Sequence, residues 1–343
     1  MSQDPDWLKR LNEFERQETL RQIEYKNRHW PGLPDGAWSK NPECRYPHIL
    51  PEGSLEKVFY PGIGGEVIQY CEENDIAIHS EALNLRSSQV SCFNVMFPLR
   101  RNLDLAAVAL QPLLPGVVKV NQIEFEYTGD AGATEWLGEP AGGKRGQNRT
   151  SIDVAVWWED GKQKNYLTLV EWKYTEKGFG SCGGYASSGN QDRELCNQLD
   201  VMAPDMVMRC YLTQGRNKRR YWERLEEAGI CLAALARTKG CPFRGPFYQL
   251  MRQYLLAAYL RKVEAVDRVE VAAVAFGGNR SLLDKGKEVG DKGTVIEAWN
   301  RGLSGETPKL RHTVVEEIVG KIRSDSSGEA RDLAGYLGER YGV

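Results

Sequence analysis

Asp153, Glu171 and Lys173 are the residues whose types and spacing could do chemistry. They stand in or at the end of two apolar, β-branched and aromatic runs: Ile152-Asp153-Val154-Ala155-Val156-Trp157-Trp158 and Tyr166-Leu167-Thr168-Leu169-Val170-Glu171-Trp172-Lys173. An interior strand does not carry acids without a reason, because burying an unpaired charge is costly. Side chains alternate along a strand, so Glu171 and Lys173 share one face and Trp172 takes the other. Pairing Trp158 with Tyr166 sets Asp153 directly opposite Glu171, with β-carbons ~5 Å apart. Two carboxylates that close repel unless a cation lies between them. All-oxygen ligands suit Mg2+ or Mn2+, and the Trp172 backbone carbonyl is a candidate further ligand. Such an ion polarises a phosphate and lowers the pKa of a bound water. Lys173 would hold or deprotonate that water and offset charge growing at phosphorus. The competing reading is a plain cross-strand salt bridge of Asp153 or Glu171 with Lys173. Glu-x-Lys alone arises by chance in most chains of this size. The Asp on the adjoining apolar run, with Gly-rich loops on both sides, favours catalysis.

Several elements must position these residues. The two runs are strands joined by a turn at Glu159-Asp160-Gly161-Lys162. A third strand is predicted over 117–127, where Val118, Val120, Ile123 and Phe125 are apolar. The apolar run 269–276 reads as a buried parallel strand. Helices are predicted over 6–28, 87–97 (stopped by Pro98), 104–114, from about Gln191, over 217–228 and over 247–262. A further helix over 55–73 is interrupted at Pro61 and Gly62. Residues 30–53, 129–148 and 178–189 read as irregular or Gly-rich loops, and 307–343 as a charged helical tail. This order gives an α/β fold with a mixed central sheet flanked by helices. The expected division is an N-terminal helical and irregular extension (1–78), a core (79–280) and a C-terminal helical extension (281–343).

The 343 residues carry 45 Lys and Arg against 47 Asp and Glu, a net charge of −2. Any nucleic-acid contact must therefore come from a local patch rather than the overall field. The eight cysteines contain no C-x-x-C pair, so they read as reduced thiols of a cytosolic chain rather than zinc or iron–sulfur ligands. The four histidines (His29, His48, His79 and His312) show no metal-ligand spacing. No apolar run approaches the ~20 residues that span a bilayer, and the charged N-terminus lacks a signal-peptide core. A cytoplasmic location is expected.

Ser151-Ile152-Asp153 together with Val170-Glu171-Trp172-Lys173 resembles the PD-(D/E)XK nuclease superfamily, with Ile152 where that pattern has proline. Leu85-Arg86-Ser87-Ser88-Gln89, Cys92-Phe93-Asn94, Glu124-Phe125-Glu126-Tyr127 and Tyr248-Gln249-Leu250-Met251-Arg252 resemble a bacterial group of restriction endonucleases within it. The resemblance implies a restriction-endonuclease-like core. It also implies Mg2+-dependent phosphodiester hydrolysis of DNA, with Asp153 and Glu171 as ligands and Lys173 assisting. Its upstream acid falls first on Glu126, with Glu124 and Glu81 as alternatives. RNA or branched or damaged DNA is the alternative substrate. A non-cleaving nucleic-acid-binding protein of the same fold is the alternative from another class. A homodimer would suit double-strand cleavage.

Ser87, Ser88, Gln89 and Asn94 form a polar cluster on an apolar helix. They read either as a cap with buried hydrogen bonds or, for Gln89, as a group positioning a phosphate or a ligand carboxylate. Ser88 is carried as a nucleic-acid contact. Lys144, Arg145 and Arg149 lie in the loop leading to Asp153 and could clamp phosphates. Arg216, Lys218, Arg219 and Arg220 form the sharpest basic run, more often a solvated face. Gly180-Ser181-Cys182-Gly183-Gly184 matches a nucleophile elbow superficially, but lies too far beyond its strand. Gln191, Asn197 and Gln198 could line the cleft.

Overall fold

The computed structural model describes residues 5–198, 200, 206–214, 218–235, 240–284 and 293–343. Helix α1 (Glu13–His29) opens on a capping box, in which Asn12 and Glu15 each accept from the other's backbone N–H. The stretch expected to be irregular contains a hairpin, β1 (Gly36–Trp38) with β2 (Asn41–Tyr46). A short 3-10 turn (Leu55–Val58) and α2 (Gly64–Glu73) flank the break at Pro61 and Gly62. Helix α3 (Ser88–Arg101) is capped by Ser87, whose Oγ accepts from Val90 N–H at 3.3 Å. It runs through Pro98 instead of stopping there. Pro98 lacks the N–H that would bond back one turn, and the burial of Phe93, Phe97 and Leu99 around it offsets that loss. Helix α4 (Leu103–Ala109) follows.

The central sheet has the order β3 (Val117–Tyr127), β4 (Ile152–Asp160), β5 (Asn165–Lys173), β6 (Arg268–Ala275), β7 (Arg311–Val314). The first three strands are antiparallel, and β6 and β7 continue parallel to β5. Helix α5 (Ala131–Leu137) lies between β3 and β4 in sequence, and α6 (Phe247–Val263) brings the chain to β6. Helices α7 (Val295–Arg301), α8 (Val315–Ser324) and α9 (Gly328–Tyr341) complete the chain. Both faces of the sheet are covered. Val154, Trp158, Val170, Trp172 and Val274 pack with α2, α3, α4, α8 and α9. Ala155, Leu167, Leu169, Val271 and Ala273 pack with α6 and α7. This gives the α/β, restriction-endonuclease-like architecture with a mixed sheet.

Two further segments differ from expectation. The segment 281–343 supplies strand β7 as well as helices. Its last part is helical and charged, as expected, and packs on the sheet: Ile318, Val319, Ile322, Leu333, Leu337 and Tyr341 are buried, and the charges lie on the outer faces except Arg340, which is fully buried. Residues 218–228 form only a 3-10 turn at Trp222–Arg224, and residue 217 lies outside the described residues. There Arg219 N–H donates to the Leu212 carbonyl and Arg220 N–H to the Leu137 carbonyl, so those donors face neighbouring segments. Tyr25, Val58, Ile63 and Val67 of residues 1–78 share one cluster with the sheet. No helix among the described residues is long and apolar enough to cross a membrane.

Candidate active site

Strand register builds the site. Val154 pairs with Val170, which puts Asp153 opposite Glu171. Phe125 pairs with Val154 and Tyr127 with Ile152, which puts Glu126 opposite Asp153. Three carboxylates thus form a row across β3, β4 and β5, on the face covered by α6. Trp158 and Tyr166, the pair that sets the register, stack with ring centroids 4.2 Å apart.

Each carboxylate is held. Asp153 Oδ2 accepts from Trp172 N–H at 2.7 Å. N–H and C=O of one strand residue point the same way, so the Trp172 carbonyl also faces the Asp153 side, beyond the last Val154–Val170 pair. Glu171 Oε1 lies 2.6 Å from Lys173 Nζ and accepts from Gln249 Nε2 at 2.6 Å, while Oε2 accepts from Gln253. Glu126 Oε1 accepts from Gln89 Nε2 at 2.8 Å, and Oε2 from Ser151 Oγ at 2.6 Å. Glu126 has φ +45°, a left-handed backbone that a non-glycine residue adopts only when its surroundings impose it. Gly146, at φ +83°, lets the preceding loop approach: a Cβ there would meet Glu126 Oε2 at 3.1 Å. The row opens into a cleft of about 210 Å3, also lined by Arg149, Arg252 and Thr150.

The electrostatics follow from burial. Desolvation, then the charges of Glu171 and Glu126, push Asp153 well above the usual carboxylate range, and Lys173 only partly opposes this. Desolvation likewise raises Glu126 against the lowering hydrogen bonds of Ser151 and Gln89. Burial alone would lower Lys173, but Glu171, Glu176 and Asp153 outweigh it and hold the ammonium charged. Three acids therefore face one lysine in a row whose ends, Glu126 and Glu171, are buried and whose middle member, Asp153, is half-buried at the cleft. Among the described residues no three His, Cys, Asp or Glu side chains stand close enough to hold a metal ion. The fitting donor set is smaller: Asp153, Glu171, the Trp172 carbonyl and water. Mg2+ commonly binds through one or two carboxylates while keeping several waters.

The structure gathers Asp153, Glu171, Lys173, Glu126 and Gln89. It places the other candidates elsewhere. Glu124 accepts from Gln122 and lies 3.8 Å from Arg145, and Glu81 accepts from Ser39. Ser88 sits in the first turn of α3, half-buried, its carbonyl taking Ser91 Oγ. Asn94 is structural, binding Tyr60 N–H, the Val58 carbonyl and Tyr341 Oη. Lys144 is exposed. Arg145, Arg149, Lys218 and Arg219 line a larger groove of about 1070 Å3, and Arg149 borders both cavities. Arg216 lies outside the described residues. Asn197 accepts from Arg244 rather than lining the cleft, Gln198 donates to Glu194, and Gln191 is exposed. Burial pushes the Cys182 thiol up to about 11, the wrong direction for a nucleophile.

Sequence reasoning quoted Gln249 and Arg252 only within the resemblance and gave neither them nor Gln253 a place in the site. Their signal was present: polar residues at i, i+3 and i+4 on an otherwise apolar helix. Arg252 Nε donates to Thr150 Oγ1, and Glu139 takes Thr150 N–H, Thr150 Oγ1 and Tyr221 Oη. That network fixes the loop entering β4.

A mixed sheet carrying a carboxylate row and a Glu-x-Lys strand end defines a restriction-endonuclease-like protein. The chain belongs to the family of restriction endonucleases associating with ARP (REase-ARP), whose model matches residues 18–342. Neither the curated proteins nor the solved structures gave a match. The family implies a hydrolase acting on DNA, with a nuclease or defence role.

Proposed function

We propose that this chain is a divalent-cation-dependent DNA endonuclease whose active site is the row Glu126, Asp153 and Glu171 with Lys173. The observation that carries the reading is three carboxylates in register on adjacent strands, Glu126 and Glu171 buried and Asp153 half-buried between them, beside a single lysine. Asp153, Glu171 and the Trp172 carbonyl would hold Mg2+, and Mn2+ suits the same oxygens. When bound, the ion would polarise the scissile phosphate and acidify a water. Lys173, its proton firmly held, offsets charge growing on the phosphate and orients the attacking water rather than deprotonating it. Gln249 and Gln253 fix the Glu171 carboxylate, and Gln89 and Ser151 fix Glu126, which limits reorganisation during the reaction. Arg149 and Arg252, at the cleft wall, supply guanidinium groups for the DNA backbone. One such row per chain suits double-strand cleavage by a pair of copies.

The test incubates the purified chain with supercoiled plasmid and, separately, single-stranded RNA, with Mg2+ or chelator, beside Asp153→Asn and Lys173→Ala. Mg2+-dependent plasmid nicking, lost by at least ~100-fold in both variants, is the expected result. Cleavage of RNA alone would overturn the DNA assignment. Binding without cleavage under Mg2+ and Mn2+ would overturn the enzyme.

A further inference from the structure

The groove of about 1070 Å3 adjoins the acid cleft through Arg149, which lines both. Its lining is unlike that of a small-molecule pocket, which is mostly apolar and aromatic. Among the described residues it contains no aromatic ring, and its apolar side chains are only Ala131, Pro140 and Ala141. Without a ring to stack on, it also lacks what a single-stranded nucleic acid uses to hold its bases. It offers guanidinium and ammonium groups instead. Arg145 and Arg149 each carry a buried nitrogen, Nη1 and Nε, with no hydrogen-bond partner in the protein. Arg145 Nη1 stands 3.8 Å from Glu124 Oε2, too far for a hydrogen bond. Lys218, on the same groove, is exposed. Acids share the lining, but three of them are engaged within the protein. Glu139 accepts from Thr150 and Tyr221, Asp130 accepts from Tyr259 Oη and caps α5, and Glu73 accepts from Gln69.

The cationic wall is held in shape. Arg145 N–H donates to the Asp75 carbonyl at 2.8 Å, and the Arg145 carbonyl accepts from Ala77 N–H at 3.0 Å, so the loop pairs with the chain beyond α2. Arg219 braces both ends of that loop. Its Nη1 donates to the Gly138 carbonyl at 3.1 Å and its Nη2 to the Asn148 carbonyl at 3.3 Å. Asn148 and Lys218 have φ of +56° and +43°, left-handed values that such surrounding contacts impose. Arg219 is thus a positioning residue, and Arg145, Arg149 and Lys218 are left to meet a ligand. Donors fixed in advance lose little freedom on binding.

We propose that this groove carries the backbone of double-stranded DNA past the scissile phosphate, with Arg145, Arg149 and Lys218 each on a phosphate, so that the substrate is a duplex rather than a single strand. The identity of the ligand rests on the nuclease reading, whereas binding in the groove does not require cleavage. Contacts of this kind set the position of the duplex and do not read its sequence.

Binding is read on the full chain carrying Asp153→Asn, by fluorescence anisotropy of a labelled DNA duplex and of its single strand across a salt series. The duplex is expected to bind at least ~10-fold more tightly than the single strand at equal salt. Arg145→Ala and Lys218→Ala should each flatten the slope of log affinity against log salt by roughly one. Glu135→Lys, which adds a cation to the groove, should steepen it by about as much. Lys119→Ala, toward the other end of β3, should leave it unchanged. Lys218 and Glu135 are exposed, so neither change threatens the fold. Unaltered slopes in Arg145→Ala and Lys218→Ala overturn the groove assignment, even where wild-type protein nicks plasmid with Mg2+. Flattened slopes without any nicking leave the groove standing and remove the nuclease. A single strand that binds more tightly than the duplex overturns the duplex assignment.

Discussion

Gln249 Nε2 lies 2.6 Å from Glu171 Oε1, so a helix that follows the Glu-x-Lys strand by a long crossover sets the orientation of that strand's acid. Gln253, one turn further on, takes the other oxygen. The carboxylate cannot rotate without breaking a bond at either end. We predict that Gln253→Leu lowers kcat by ~10–100-fold while circular dichroism stays unchanged. Full activity in the Leu variant would mean that Gln249 and Lys173 suffice to orient Glu171.

Metal binding should be coupled to protons. Asp153 is pushed up by burial and by two neighbouring acids, so at neutral pH the row retains proton density that a cation must displace. Calorimetric titration with Mg2+ in buffers of differing ionisation enthalpy should report release of up to about one proton per ion. Apparent affinity should rise with pH through the raised carboxylate range. Proton release that persists undiminished in Asp153→Asn would contradict this assignment.

Arg149 borders both the acid cleft and the wider groove, and its buried Nε has no hydrogen-bond partner in the protein. A phosphate would supply one. Arg149→Ala should raise KM for DNA with a smaller effect on kcat. It should also reduce the slope of log affinity against log salt by roughly one. An unchanged salt slope would remove Arg149 from the interface.

His48 provides a pH test of stability away from the site. Burial, with Arg86 and Lys26 adding to it, lowers its pKa to about 3. The unfolded chain then takes up the proton first as pH falls. The stability linked to His48 is complete above about pH 6.5 and is lost progressively toward pH 3, by at most ~1.4 kcal/mol per pH unit. Urea denaturation at pH 7 and pH 5 should show a smaller loss for His48→Gln than for wild type. Equal losses would show that His48 does not contribute.

The pairing of Asp153 with Glu171 was legible because two strands and one short turn fix it, and the Trp158–Tyr166 stack confirms the register. Gln89 was legible as a polar residue on an apolar helix. Gln249 and Gln253 were not read as part of the site, since only the crossover places α6 over the row. Strand β7 was hidden because Arg311 and His312 lack the alternation that marks a strand.

The row of side chains does not stop at Glu171. On the next strand its register partner is Ala273, fully buried beneath α6. Across four strands the same line passes from carboxylates bordering a cleft to a methyl group sealed in hydrocarbon. Local polarisability therefore falls steeply in one direction. On the proposed reading, a polyanion meets the row from the cleft side, where Arg149 and Arg252 lie, while the hydrocarbon on the far side acts as an insulating wall.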